Sequence, residues 1–204
     1  MPGTAIHPGY PGGIGGHVTT RGATTLIALI RGINVGTAKR VAMADLREML
    51  SGLGYSDVRT LLNSGNAVFT TPASATAVAA AIEQGLHETL KVPARVLVRS
   101  RAQVIDAMES DPFGGLATDG SKHFLGFLDA TPAEDLVTAV QELADDANTG
   151  PDVARLVKDH LYLWCPAGIS KATFAAVNWD KKLGTAVTMR NWNTVTKLVA
   201  MTEG

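Results

Sequence analysis

The chain has 204 residues, with 18 Lys and Arg against 19 Asp and Glu for a formal net charge of -1, and 46% of its residues are hydrophobic. That balance excludes a global field that would hold the protein to nucleic acid or an anionic membrane, so any such contact has to be a local patch. The single cysteine, Cys165, excludes an internal disulfide framework and fits a reducing compartment. No apolar run approaches the roughly 18 residues of a membrane span, and the first residues lack the basic and apolar regions of an export signal, so cytoplasmic residence without a membrane partner is expected.

Residues 1–23, rich in Gly, Pro and small polar residues without periodicity, cannot bury enough apolar surface to offset ordering entropy; they predict a disordered tail. Thr24 to Ile30 is a short continuous apolar run, the pattern of a strand buried on both faces. In the following segment Leu46, Met49, Leu50 and Leu53 fall at helical spacing, and Gly54 supplies a stop. Val58 to Leu62 and Ala67 to Thr70 read as a hairpin closed by a two-residue Ser64-Gly65 loop. Ser74 caps an alanine-rich helix running to about Leu90, and Ala94 to Arg99 is the next strand. The order is βαββαβ.

A short helix opened by Ser100 and Gln103 in a capping-box pattern leads to Asp111-Pro112-Phe113-Gly114-Gly115, which breaks regular structure. The pattern then restarts. His123 to Leu128 reads as a strand, and Thr131-Pro132-Ala133-Glu134 opens a helix with N-cap, N1 proline and N3 glutamate, whose apolar stripe is Leu136, Val140 and Leu143. Val153 to Val157 and Leu161 to Cys165 make a second hairpin, Ser170 to Leu183 a helix, and Thr185 to Met189 a last strand before a terminal helix. Two successive units of the same order predict an α+β chain of two tandem ferredoxin-like (βαββαβ, alpha-beta plait) domains, at 24–112 and 121–204, with an extra C-terminal helix. Such small units are expected to rest on each other through a substantial interface.

Two polar clusters punctuate this pattern. In the first unit the loop after the first strand and the hairpin tip share a sheet edge, so Arg31, Asn34, Lys39, Asn63, Ser64 and Asn66 are expected at one corner. Turn chemistry accounts for this corner, because Ser-Gly closes a hairpin and Gly32 with Asn34 makes a bend. An anion site accounts for it equally, with Arg31 as a bidentate partner and the carboxamides fixing orientation. In the second unit Lys171, Arg190, Asn191 and Asn193 are expected at one edge. Asn191 is a natural N-cap, and Trp192, Val195 and Val199 fall on one helical face. Arg190 needs a partner, since a cation at a helix N-terminus opposes the macrodipole.

Other chemistry is thin. The run after Gly32 lacks Gly-Lys-Ser/Thr and no G-x-G-x-x-G occurs, so no nucleotide cradle of known type is predicted. His87, His123 and His160 lie on different elements without zinc spacing, and His7 and His17 lack further ligands, so no metal or cofactor is expected. Ser64 has no G-x-S-x-G around it. Cys165 alternates with Leu161 and Leu163 and reads as core, while Arg99, Arg101, Lys181 and Lys182 read as solvated ends. No catalytic residue is assigned.

The runs LIRGINVG at 29–36, LLNSGNAVF at 61–69, GISK at 168–171 and KLGTAVTMRNWNTVTKL at 182–198 resemble the bacterial family catalogued as Domain of Unknown Function 1697, over about residues 24–201. The resemblance implies a pair of ferredoxin-like domains and brings no activity, substrate or catalytic residue. Thr37-Ala38 stand where the family continues with another glycine, and Leu62-Asn63 replace its usual aromatic and Gln before Ser-Gly-Asn. The expected partner is a small anionic or phosphate-bearing ligand held by Arg31, Asn34, Lys39, Ser64, Asn66, Lys171, Arg190, Asn191 and Asn193. Two alternatives stay open: single-stranded nucleic acid on a sheet face carrying Phe124, Phe127, Tyr162 and Trp164, and a structural or protein-interaction module without a small ligand. Oligomeric state is not legible.

Overall fold

The computed structural model describes residues 22–35, 40–145 and 150–203. Most of the expected tail, Gly36 and Lys39, and the side chain of Leu143 lie outside what is described. The first lobe contains β1 (Thr24–Ile30), α1 (Met43–Gly52), β2 (Ser56–Leu61), β3 (Asn66–Thr71), α2 (Ala75–Glu88), β4 (Val96–Ser100) and α3 (Arg101–Glu109). The second contains β5 (His123–Leu128), α4 (Glu134–Asp145), β6 (Val153–Val157), β7 (His160–Trp164), α5 (Trp179–Leu183), β8 (Val187–Asn191) and α6 (Trp192–Ala200). Each lobe has one four-stranded antiparallel sheet, ordered β2-β3-β1-β4 and β6-β7-β5-β8.

Several boundaries differ from the pattern reading, each for a local reason. The first hairpin turn is four residues, Leu62 to Gly65, because Leu62 and Gly65 both take positive φ and Asn66 already pairs with Leu61. Ser170 to Leu183 is not one helix: it is two 3-10 turns, Ile169–Lys171 and Thr173–Ala176, and then α5, whose N-cap is Asn178. α4 begins at Glu134, two residues beyond the proline placed at its first position. The last strand runs on through Arg190 to Asn191, so Arg190 is a strand residue, and Asn191 alone caps α6 by accepting from the Thr194 amide at 2.9 Å. The extra helix is present in both lobes, since α3 follows β4 as α6 follows β8. Ser100 and Gln103 form the expected capping box on α3.

Alternation within the strands divides the apolar residues among three cores. Leu26, Ala28 and Ile30 of β1 pack with α1 and α2, through Leu46, Leu50, Val78, Ile82 and Leu86. The opposite side chains, Ile27 and Leu29, enter a core shared by both lobes with Leu97, Val104, Phe113, Leu125, Phe127, Tyr162 and Leu198. The third core lies between the second sheet and its own helical layer, around Val140, Leu161, Phe174 and Leu183. Both central strands are therefore buried on two faces, and the second face is buried by the other lobe. Fully burying a side chain of this size is worth roughly 1.5–3 kcal/mol, so the shared core makes each lobe depend on its neighbour. The Tyr162 hydroxyl reinforces it by donating to the Ala107 carbonyl at 2.6 Å.

Candidate functional site

The polar motifs meet where the first hairpin touches the second sheet. Asn34, in the left-handed region at φ 57, donates from Nδ2 to the carbonyls of Val41 (2.9 Å) and Asn63 (2.8 Å), and its Oδ1 accepts from the Val41 amide (2.9 Å). The side chain thus clamps both ends of the loop after β1 and ties it to the hairpin tip. Asn66 is fully buried and donates to the Leu61 carbonyl (2.9 Å) and to Ser64 Oγ (3.0 Å), which leaves its Oδ1 facing the second lobe. Gly65 at φ +81 closes the turn, and a Cβ there would stand 2.8 Å from the Ile30 carbonyl oxygen.

Arg190 fills the space those groups define. Its Nε donates to Asn66 Oδ1, its Nη2 to the carbonyls of Ile30 (2.8 Å), Ser64 (3.1 Å) and Gly65 (3.2 Å), and its Nη1 to its own strand at Met189 (2.8 Å). Burial lowers its pKa to about 10, which still leaves it a cation at neutral pH. Among the described residues no carboxylate pairs with it; the partner it needs is a ring of carbonyl dipoles from the other lobe. Hydrogen bonds from a charged donor are worth about 1.5–3 kcal/mol each, enough to hold a desolvated guanidinium without a counter-ion.

Arg31 points the other way. Its Nη1 lies 2.6 Å from Asp180 Oδ2, with both side chains about one-third exposed, and Asp180 Oδ1 accepts the outward amide of Val187 on the sheet edge (3.0 Å). The pair stands at the wall of a cleft of about 490 Å³ that includes Asn178, Trp179, Val187 and Met189. Of the remaining expected residues, Lys171 is exposed on a 3-10 turn outside this network, Asn191 is spent on its cap, and Asn193 packs by its amide on the Gly120 carbonyl at 3.3 Å. Lys39 lies outside the described residues. The structure thus joins Asn34, Ser64, Asn66 and Arg190 into one network, sets Arg31 beside it, and leaves Lys171 and Asn193 apart.

The network is repeated in reverse. Arg99 on β4, expected to be solvated, is half-buried; it donates from Nη1 to its own strand at Val98 (3.1 Å) and from Nη2 to the Leu128 carbonyl (2.7 Å) of the other lobe's central strand. Ile30 and Leu128 correspond, because their amides donate to the residues before β3 and β7, Gly65 and Asp159. Glu83 accepts the outward Val96 amide (2.9 Å) as Asp180 accepts that of Val187. Asp129, following Leu128, reaches Arg95 at 3.1 Å as Arg31, following Ile30, reaches Asp180. Sequence reasoning missed Arg99, Asp129 and Asp180. The signal was the parallel between VLVRS at 96–100 and VTMRN at 187–191, each an Arg followed by a helix cap.

This geometry offers little to covalent chemistry. Ser64 Oγ accepts from Asn66 and, among the described residues, has no histidine hydrogen-bonded to it, while burial, with Asp152 nearby, pushes the Cys165 thiol up to about 12 and makes it a poor nucleophile. Among the described residues no group of three or more His, Cys, Asp or Glu stands together as metal ligands, and no helix is long and apolar enough to cross a membrane. Phe127, Tyr162 and Trp164 lie in the shared core, so the sheet face on which bases would stack is interior.

No curated protein matches the chain. A solved structure described as a conserved bacterial protein from Streptococcus pneumoniae is similar to it with a TM-score of 0.69 and 24% identity, covering 89% of this chain and 99% of that one; at that identity the likeness extends to the fold. The family described as "Protein of unknown function (DUF1697)" matches residues 23–162, which include β1 to most of β7 and stop short of Arg190. With more than half its length matched, the chain belongs to that family.

Proposed function

We propose that the protein is a rigid two-lobed interaction module in which the Arg/Asn motifs serve as latches between the lobes. One observation carries this reading: all three guanidinium nitrogens of Arg190 are engaged within the protein, by Asn66, Ile30, Ser64, Gly65 and Met189. Each unit is taken as ferredoxin-like, on the strand orders, with boundaries at 24–112 and 121–204 and cytoplasmic residence. The test is a single variant and its melting temperature. Arg190→Ala is expected to lower the melting temperature strongly; an Arg190→Ala protein that keeps its melting temperature refutes the latch.

A second reading rests on Arg31, the one cation of the first cluster, among the described residues, that is both partly exposed and beside a cleft. There a small anionic or phosphate-bearing ligand would displace Asp180 from the guanidinium, with Asn178 as a neutral donor. A thermal-shift screen with nucleotides and phosphorylated metabolites tests it. A stabilising anion whose effect disappears in Arg31→Gln supports it, and no shift for any anion at millimolar concentration removes it.

A further inference from the structure

The second latch borders an open cavity. Where Arg190 meets the four-residue turn Leu62 to Gly65 and Asn66, Arg99 meets the two-residue turn Lys158-Asp159 and His160. Among the described residues Arg99 makes no hydrogen bond to the shorter turn, and a space of about 360 Å³ opens between Arg99, Gln103, Asp106, Asp159 and His160. That size is at the lower end of the roughly 300–1,000 Å³ of small-molecule sites.

Its walls carry opposite charges that do not meet. Arg99 is held back by the carbonyls of Val98 and Leu128, and among the described residues no carboxylate lies within ion-pairing distance of it. Desolvation lowers its pKa, outweighing the more distant Asp159 and Asp129. Among the described residues Asp159 has no Lys or Arg in ion-pairing distance either: Lys158 Nζ is taken by both oxygens of Asp106 (3.1 and 3.0 Å), and the neighbour of Asp159 is His160 Nδ1 at 3.2 Å. That contact is too poorly aligned to be a hydrogen bond, so Nδ1 is buried without one on a residue only 5% exposed. Gln103 spends its Oε1 on the Ser100 amide, which leaves its carboxamide nitrogen as a donor at the same wall.

We infer that this cavity binds a small zwitterion of the α-amino acid type, its carboxylate on Arg99 and Gln103 and its ammonium on Asp159, beside the His160 ring. A monovalent anion or cation would satisfy one wall and leave the other charge unmatched in a partly desolvated space, whereas a zwitterion matches both. The site is separate from the Arg31 cleft and from the Arg190 latch, so it stands or falls apart from both.

The experiment is a titration of the full chain with free α-amino acids, followed by calorimetry and by the imidazole NMR signals of His160, alongside the N-acetyl and amide derivatives of any binder. The expected result is saturable binding at low millimolar concentration or below that perturbs His160, is weakened about tenfold or more by N-acetylation or amidation, and is lost to the same degree in Asp159→Asn. Asp159 is partly exposed and its amide is isosteric, so that variant is expected to keep its melting temperature; Arg99→Gln provides the opposite wall. No binding by any free amino acid, equal binding of the N-acetyl derivative, or inorganic phosphate perturbing His160 equally well would overturn the assignment.

Discussion

Arg190 and Arg99 occupy corresponding places in the two lobes and do different amounts of work. Both end the edge strand before a capped helix, and both reach the last carbonyl of the other lobe's central strand. Arg190 finds Asn66, Ser64 and Gly65 there as well, while Arg99 finds a shorter turn and His160. The carboxamide of Asn66 donates to its own hairpin and accepts from the guanidinium at once. At the corresponding place in the second lobe, His160 Nδ1 is left unpaired. One latch is therefore closed by hydrogen bonds and the other is open, and the proposed zwitterion site rests on that asymmetry.

The largest expected effect breaks this asymmetry directly. Arg190→Ala strands the Ile30 carbonyl and Asn66 Oδ1 in a buried junction and is expected to cost about 3–5 kcal/mol, whereas Arg99→Ala is expected to cost about 1–2 kcal/mol. Urea unfolding of both variants measures the ratio; equal losses would mean that the two junctions are energetically alike. Next comes the turn that closes the first latch. Gly65→Ala must place its Cβ 2.8 Å from the Ile30 oxygen and 2.9 Å from Ile33 Cγ1 at φ +81, for about 2–4 kcal/mol. Gly32, at φ +68 with nothing within 4 Å, provides the control at about 1 kcal/mol.

A pH series sharpens the comparison from the open side. His160, faced by Asp159, Arg99, Asp106 and Lys158, and His123, stacked on Trp192 beside Asp111, both have pKa values lowered from 6.5, chiefly by burial. The unfolded chain then takes up protons before the folded one, so their contribution is complete above about pH 6.5 and is lost as pH falls toward the lowered folded values. His160→Asn, which copies the closed latch, is expected to reduce that acid-side loss while leaving stability at pH 8 nearly unchanged. An identical slope below about pH 6.5 in the variant would assign the loss to His123 or to other groups.

The sequence carried the element order of both lobes because strand alternation and helix caps are local. β1 reads as doubly buried from TTLIALI alone, and Asn191 reads as a cap from its place before Trp192. It did not carry the partner of Arg190. Besides the Asn66 side chain, that partner is a set of backbone carbonyls 125 to 160 residues away, and backbone carbonyls leave no mark on side-chain chemistry. Nor did it separate Arg31 from Arg190: both are Arg close to an Asn at the end of a strand-like run, yet one turns inward to the hairpin and the other outward to Asp180. Arg99 escaped because an Arg at a strand end is indistinguishable from a solvated one until the second lobe is seen to cover it.

The smallest effect is expected at Arg31. Asp180→Asn keeps an oxygen for the Val187 amide and removes only the ion pair, whose partners are each 37% exposed, so solvent screening limits the loss to about 0.5 kcal/mol. The same substitution at Asp129 removes the corresponding contact with Arg95, which is more exposed, and is expected to cost less still. Because these pairs join the lobes at two places without being buried, their loss should vanish with added salt while the Arg190 effect persists. Measuring Asp180→Asn and Arg190→Ala side by side at low and high salt therefore separates the screened rim of the junction from its desolvated latch. A salt-independent loss in Asp180→Asn would move Arg31 from the rim into the latch.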